Sequence, residues 1–396
     1  MDTLPDELIY TILSYATGFE KYHEKDAIVA YCQRRSRESY IFEIPCERHR
    51  IVRVCRRWYT IGLEFLYSSV ILRDPIGLLS LKCSLLRCPR LATFIQAFSI
   101  LSENTQLYSD PDLRTVLDAC SRLLVFCSAR MAVLPIAQQK HVLYMTIRET
   151  LTIRDIFNEH GRFEDVSAQL QLNLFTELQT LHLTREFPGS LHHWRRTLRD
   201  RISLPHLKTL ILEFDDPRSQ LYENICKWSL PLLSVLQIRN VMSYSLCAIM
   251  HKFQSTLVIV DATVFTNNAV YDWTPGRLTM PYLRHFSVSG GLVDFGSLFG
   301  SVTTLETLEF GLDWVREPGL PYDHEGWAII RSFWRTFVLD WVTHTREEGG
   351  LLALREVRFR IEYPDESDTI LLAEIDGVFR RCLQDTGIEV LDGLPR

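Results

Sequence analysis

The sequence predicts an α/β protein: a small helical module at the amino end, then a long solenoid in which short parallel strands form a curved sheet with helices outside it. Three observations carry this reading. Two apolar blocks, residues 3–16 and 46–67, have helical periodicity. A phrase of three apolar residues, spaced L-x-x-L-x-L, recurs along the rest of the chain. Prolines stand just ahead of several copies, and helical segments separate them.

The first helix begins almost at once. Thr3 and Asp6 stand at capping-box spacing, and Pro5 falls in the first turn, where a missing N–H costs nothing. Leu4, Leu8, Ile12 and Tyr15 form one stripe, with Ile9, Leu13 and Ala16 forming a second beside it. That surface is wider than one core contact requires, so the helix is expected to face two neighbours. In the second block Ile51, Cys55 and Trp58 fall at i, i+4 and i+7, with Val54, Phe65 and Leu66 adding bulk and Arg53, Arg56 and Arg57 on the wet side. About three short helices in fewer than roughly 75 residues bury too little to be robust alone. A permanent partner is expected to cover what is left over.

Taken in order, Leu4-Pro5-Asp6-Glu7-Leu8, Ile12-Leu13-Ser14-Tyr15, Val54-Cys55-Arg56-Arg57-Trp58 and Phe65-Leu66-Tyr67 resemble an F-box. That is the helical module that docks a substrate receptor onto a Skp-type adaptor. The resemblance covers residues 1–73 and implies that Leu4, Pro5, Leu8, Ile12, Leu13, Ile51, Val54, Cys55, Trp58 and Leu66 meet the adaptor. A polar, charged insert at 18–47 separates the two blocks, as in the large fungal F-box families. The alternative is a plain helical cap, with Trp58 a core aromatic.

After a strand-like run at 66–72, the repeat domain occupies residues 74–396. Its clearest phrases are Leu178, Leu181, Leu183; Leu207, Leu210, Leu212; Leu233, Leu236, Ile238; Leu257, Val260, Ala262; Leu283, Phe286, Val288; Leu305, Leu308, Phe310; and Leu354, Val357, Phe359. From Leu181 to Leu308 the middle residues step by 29, 26, 24, 26 and 22, close to the range of roughly 20–29 of leucine-rich repeats. Weaker copies are read at Ile95, Phe98, Ile100; at Leu123, Phe126, Ser128; and at Arg148, Leu151, Ile153, for about nine to eleven strands in all. Pro89, Pro205, Pro231 and Pro281 precede strands, ending the preceding helix without removing a ladder donor. Helices are expected at residues 220–228 and 244–253. The consensus Asn or Cys after the third apolar residue is mostly missing, so the units are leucine-rich-repeat-like and irregular, and an ordinary α/β domain stays open.

Two late segments break the rhythm. A helical insertion at about 325–346 carries Trp327, Trp334 and Trp341 at seven-residue intervals, read as packing against a neighbouring repeat. A helix and strand within 366–396 are expected to cap the stack, since an open solenoid exposes a sheet edge.

Composition narrows the function classes. Over 396 residues the net charge is -6, with 46% hydrophobic and 23% charged residues, which fits a folded chain and argues against nonspecific nucleic-acid binding. The local arginine cluster between Arg34 and Arg57 is interleaved with Glu38, Glu43 and Glu47, as on a solvated helix face. Ten cysteines show no C-x-x-C pair and read as reduced thiols. No secretory signal and no apolar run of membrane-spanning length is evident, so a cytoplasmic or nuclear protein without a membrane partner is expected.

No phosphate-binding loop, nucleophile elbow or zinc-protease motif occurs, and no catalytic residue, metal ligand or cofactor is expected. Gly290-Gly291 with Gly296 and Gly300 is read as turn-making, and His192-His193 as a surface loop. What remains is a surface. The outward positions of the phrases include His182, Glu213, Gln237, Arg239, Asp261, His285, Glu309, Arg358 and Arg360, mixed in sign and hydrogen-bonding type. Such a row suits a protein or peptide partner, or is a solvated face without a ligand. The chain is therefore expected to be a non-catalytic substrate receptor of a cullin-type ubiquitin ligase, or a repeat scaffold whose amino-terminal helices only cap the solenoid.

Overall fold

The computed structural model describes residues 4–17, 54–100, 110–128, 142, 144–150, 175–186, 202–214, 220–265, 278–290, 299–311, 353–360, 377, 380–381, 383 and 388–393. The chain is α/β with parallel strands, and it divides into two compact units. One comprises Met1–Lys208 with Ser229–Pro231, the other Thr209–Trp228 with Leu232–Arg396.

The first unit opens with helices α1 (Asp6–Thr17) and α2 (Arg56–Tyr67). The amides of Leu8 and Ile9 both donate to the Pro5 carbonyl, at 3.2 and 3.1 Å, so Pro5 sits just ahead of the helix and not inside its first turn. Thr3 lies outside the described residues. The two helices close on Ile9, Leu13 and Phe65, all fully buried, with Leu4, Tyr10, Trp58, Ile61 and Leu66 packed around them. Burying each of those three is worth roughly 1.5–3 kcal/mol relative to leaving it in water. Burial also pushes the Tyr10 phenol pKa up, with Glu64 adding to the effect.

Ser68 stops α2: its amide donates to Glu64 at 2.9 Å and its hydroxyl to the Phe65 carbonyl at 3.1 Å. Strand β1 (Ser69–Leu72) follows directly, so Leu66 and Tyr67, expected in that strand, belong to the helix. Helix α3 (Pro75–Arg87) is capped by Asp74, whose Oδ1 accepts the Gly77 amide at 2.6 Å, with Pro75 in the first turn. A 3-10 turn (Pro89–Phe94), β2 (Ala97–Ile100), α4 (Asp110–Ala119), β3 (Val125–Ser128), β4 (Tyr144–Thr150) and β5 (Thr180–Glu186) complete the described elements. The five strands are parallel and pair in chain order.

The second unit contains β6 (Thr209–Phe214), α5 (Gln220–Ile225), β7 (Val235–Met242), α6 (Ser243–Phe253) and β8 (Ile259–Phe265). Next come β9 (Leu278–Thr279), β10 (His285–Gly290), β11 (Phe299–Ser301), β12 (Thr307–Gly311), β13 (Glu356–Arg360) and β14 (Glu389–Gly393). The order β6-β7-β8-β10-β12-β13-β14 is again parallel, and β9 pairs with β11 apart from it. Among the described residues twelve strands thus stand in the main ladders and two more pair apart from them, against the expected nine to eleven in all.

One backbone device feeds strand after strand. At six strand entries two consecutive amides donate to a single carbonyl beside the preceding strand: Gln96 and Ala97 to Ser68, then Leu124 and Val125 to Gln96. In the second unit the same pairs run from Val258 and Ile259 to Ser234, Arg284 and His285 to Val258, Glu306 and Thr307 to Arg284, and Arg355 and Glu356 to Glu306. Ahead of the entries, Leu207 donates to Leu204 and Leu283 to Met280, both at 3.3 Å. Pro205 and Pro281 therefore occupy the second place of a tight turn, where a fixed φ is an advantage.

The apolar phrases form the core. Leu181, Leu183, Leu210, Leu212, Leu236, Ile238, Val260, Ala262, Phe286, Val288, Leu308, Phe310 and Val357 are all buried. Of the copy read at Arg148, Leu151 and Ile153, the last two lie outside the described residues and Arg148 pairs with Thr184; it is Met145 that pairs with both Phe126 and Leu181, and Val142 and Met145 are buried. Parallel pairing in register decides it, because Met145 alone lines up with the middle residue of each neighbour. The tryptophan-rich segment and the 18–47 insert lie outside the described residues. Gly377, Arg380, Arg381 and Leu383, described within the expected last helix, are helical.

Strand β7 carries a bulge. Ile238 pairs with Ala262 but Val241 with Val264, so that Arg239 and Asn240 together face Thr263 alone, and Asn240 takes a φ of 54° to fit the extra residue. From α5, the fully buried Tyr222 donates its hydroxyl to the Arg239 carbonyl at 3.1 Å, with the Asn240 carbonyl at 3.4 Å. Phe214 meets the Tyr222 ring edge-on, centroids 5.7 Å apart.

Candidate protein-interaction surfaces

α1 has two apolar faces with opposite fates. Ile9 and Leu13 point at Phe65, whereas Leu8, Ile12 and Tyr15 remain exposed, at 49%, 43% and 69%. These three share one side of the helix, at i, i+4 and i+7. Pro5 at the helix start, Val54 and Cys55 ahead of α2, and Tyr59 within it are exposed as well. Cys55 caps α2, its sulfur accepting the Trp58 amide at 3.5 Å.

Of the ten residues that the sequence assigns to docking, Pro5, Leu8, Ile12, Val54 and Cys55 reach the surface. Leu13 is corrected to the interior: it follows Ile9 by one turn and belongs to the stripe that covers Phe65. Leu4, Trp58 and Leu66 pack against the same core, half-buried, and Ile51 lies outside the described residues. Tyr15 and Tyr59 are exposed aromatics that the sequence assignment left out; Tyr15 was already visible in the stripe with Leu8 and Ile12.

The sheet face opposite the core holds the other set. In the second unit Ile211, Gln237, Asp261, Ser287, Glu309, Arg358 and Leu391 are successive register partners, one row across seven strands. His285 pairs with Thr307, which pairs with Glu356, in the row before it. In the row after it Glu213 stands beside Arg239, and Ser289, Gly311 and Arg360 are neighbours. The structure therefore brings seven of the nine expected residues to one face of one unit, with Arg360 an eighth by strand register alone. The ninth, His182, belongs to the first unit, where it pairs with Thr146 between the buried Leu181 and Leu183.

That face is less open than the alternation suggests. Asp261 and His182 are buried, and so is Ile211, at 1% exposure. Glu213, Gln237, Arg239, His285, Glu309 and Arg358 are half-buried. At Asp261 the cause is visible: Arg239 reaches across to it, Nη2 to Oδ2 at 3.5 Å, while Nη1 donates to Thr263 at 2.9 Å. Thr263 and Ser289 hydroxyls are 2.9 Å apart, and Ser287 lies 3.4 Å from Glu309 Oε1. Arg358 pairs with Glu356 through Nε at 3.0 Å and through Nη2. Close strand approach adds to this at Gly311, where a Cβ would stand 2.2 Å from that of Ser289. Ser287, Ser289, Thr263 and Glu356 complete the network; the first three are hydroxyl side chains, a type that the sequence assignment left out, and Glu356 was left out although it is charged.

Chemically, the face offers charges already paired with one another and hydroxyls linking them. Such a surface selects by geometry more than by net attraction. Among the described residues, no group of three or more His, Cys, Asp or Glu could hold a metal ion, and no helix is long and apolar enough to cross a membrane. Burial drives the Cys120 thiol up to about 12 and the Cys247 and Cys226 thiols upward too, which makes them poor nucleophiles.

No family model matches the sequence, and no curated protein matches it. Among solved structures, a crystal structure of a Bacteroides fragilis protein from a structural-genomics programme aligns with 74% of this chain at 11% identity and a TM-score of 0.31. This chain spans 66% of that protein's length, just under two thirds.

Proposed function

We propose that the chain is a non-catalytic substrate-recognition subunit of a Skp–cullin–F-box ubiquitin ligase. The F-box at residues 1–73 docks a Skp-type adaptor, and the leucine-rich-repeat-like domain at 74–396 presents a protein target. The observation that carries the reading is the stripe of Leu8, Ile12 and Tyr15, left in water on a helix whose other apolar face is fully used. A large apolar stripe on a short helical module fits an adaptor contact, since such patches mark interaction sites. The mechanism is proximity: a fixed spacer raises the effective concentration of a target lysine near the conjugating enzyme. The mixed, internally paired sheet face fits a protein or peptide target.

Co-purification with a Skp-type adaptor tests the first half. Leu8→Glu with Ile12→Glu should abolish it while the fold survives, because both side chains are exposed. An intact chain that ignores the adaptor overturns the proposal.

A scaffold reading is favoured by one contact: α2 packs on the 3-10 turn and on β1, so the helices also close the end of the first unit. Deleting residues 1–65 then unfolds the remainder. Under the receptor reading the strands survive that deletion, with β1 retained.

A further inference from the structure

Cations in this chain are almost all of one kind. Of 43 Lys and Arg residues, 36 are arginine and seven are lysine, although lysine is ordinarily among the commonest residues. Codon drift does not account for the imbalance. A general pull toward G- and C-rich codons would raise Gly and Pro together with Arg, yet Gly at 18 and Pro at 16 of 396 residues fall below their usual shares of roughly 7% and 5%. Phe, with A- and T-rich codons, outnumbers each of them at 21. Contact geometry accounts for only part. Arg57, Arg239 and Arg358 use the planar guanidinium fork on Asp6, on Asp261 with Thr263, and on Glu356. Arg56, Arg87, Arg114, Arg122 and Arg355 are exposed, where the more strongly hydrated ammonium of lysine would serve as well.

The seven lysines are also unevenly placed. The last is Lys252, and the 144 residues from 253 to 396 hold twelve arginines and no lysine. That stretch supplies β8, β10, β12, β13 and β14, most of the second unit's sheet. On the sheet face opposite the core, the register positions that carry a cation are Arg239, Arg358 and Arg360. The second unit's two lysines belong to its helical side. Lys227 comes just after α5, with its Nζ 3.3 Å from Asn224 Oδ1, and Lys252 lies in the last turn of α6.

We propose that the target-holding unit is kept free of acceptor amines on its sheet side, so that transfer goes to the bound target and spares the receptor. The proposal rests on the ligase reading above. In such a transfer a deprotonated lysine Nζ attacks the thioester carbon of the charged conjugating enzyme. The C–N isopeptide bond forms as the C–S bond breaks, and the amine proton passes through water to the departing thiolate. A guanidinium keeps its proton, so arginine preserves the charge without the reactivity. A receptor that holds a target close to the charged enzyme holds its own surface close as well. Selection between the two then comes from which surface carries amines.

The full chain, combined with a Skp-type adaptor, the cullin core, the conjugating enzyme and ubiquitin but no target, reads self-modification, and peptide mass mapping locates it. Arg284→Lys with Arg355→Lys keeps the charge and puts amines at the exposed entries of β10 and β13. This variant should be modified at positions 284 and 355, and in total on the order of tenfold faster than the wild type, through effective concentration alone. Arg284→Gln with Arg355→Gln removes the same charges without adding amines and should stay at the wild-type rate. Both variants should keep the wild-type circular dichroism spectrum and adaptor binding. New lysines left unmodified while native lysines react, or a wild type modified as fast as the lysine variant, would overturn the proposal. A chain that ignores the adaptor in a parallel pull-down fails the ligase reading, and this proposal with it.

Discussion

Arg57 Nε donates to Asp6 Oδ1 at 2.7 Å and ties the start of α2 to the start of α1 across 51 residues of sequence. The Asp6 side chain is 64% exposed and that of Arg57 35%, so water screens the pair and it orients the helices more than it stabilises them. Arg57→Ala should lower unfolding stability by less than about 1 kcal/mol. Phe65→Ala, which opens the core beneath, should cost about 3–5 kcal/mol. Urea unfolding of the two variants side by side checks the ranking; equal losses would mean that the ion pair, not the core, holds the module.

The two faces of α1 should separate stability from binding. Leu13→Ala should cost about 2–5 kcal/mol, because Leu13 is fully buried against Phe65. Ile12→Ala, on an exposed side chain, should stay within about 0.5 kcal/mol. A pull-down with a Skp-type adaptor, run beside thermal unfolding, should show the reverse order for adaptor retention among molecules that remain folded.

At Gly311 the sheet leaves no space for a side chain on the face that carries Ser289. Gly311→Ala forces β12 away from β10 and should cost about 1–3 kcal/mol. Ser289→Gly removes the obstructing Cβ. The double variant should then lose less than the sum of the two single variants, a coupling that a double-mutant cycle measures directly.

The buried thiols make a pH prediction. Cys120 titrates near 9 in an unfolded chain and near 12 in the folded one, because burial disfavours its thiolate. Folding therefore retains a proton that unfolding releases, and the contribution is complete below about pH 9 and lost as pH rises toward about 12. Cys120→Ala should flatten the fall in stability over that window. At neutral pH iodoacetamide should label Cys55, Cys83 and Cys88, which are exposed, well before Cys120 or Cys247; mass mapping reads the order.

Much of the parallel sheet was legible from its middle apolar residues. Phe98, Phe126, Leu181, Leu210, Leu236, Val260, Phe286, Leu308 and Val357 stand where the phrase puts them, because a period of two with turn residues between is a local signal. Met145 escaped because Val142, Met145 and Ile147 lack the leucines that mark the other copies. Depth escaped for a different reason. Alternation tells which way Asp261 and His182 face, but their burial depends on neighbours brought in from other strands, as Arg239 is to Asp261. Likewise, periodicity drew both stripes of α1 but gave no means of telling that Leu13 would be covered and Leu8 left bare. That choice belongs to Phe65, more than fifty positions away in the chain.

The extra residue at Asn240 has a consequence for how the chain tolerates change in length. β7 ends at Met242 and α6 begins at Ser243 with no loop between them, so two periodicities, two and 3.6, meet without slack. The bulge sets the phase between them. Removing one residue there would turn α6 by about 100° about its axis. Leu246, Ile249, Met250 and Phe253, now inside, would swing off the core together. Asn240, held by Tyr222, is thus the point where a single deletion would do the work of four separate core substitutions.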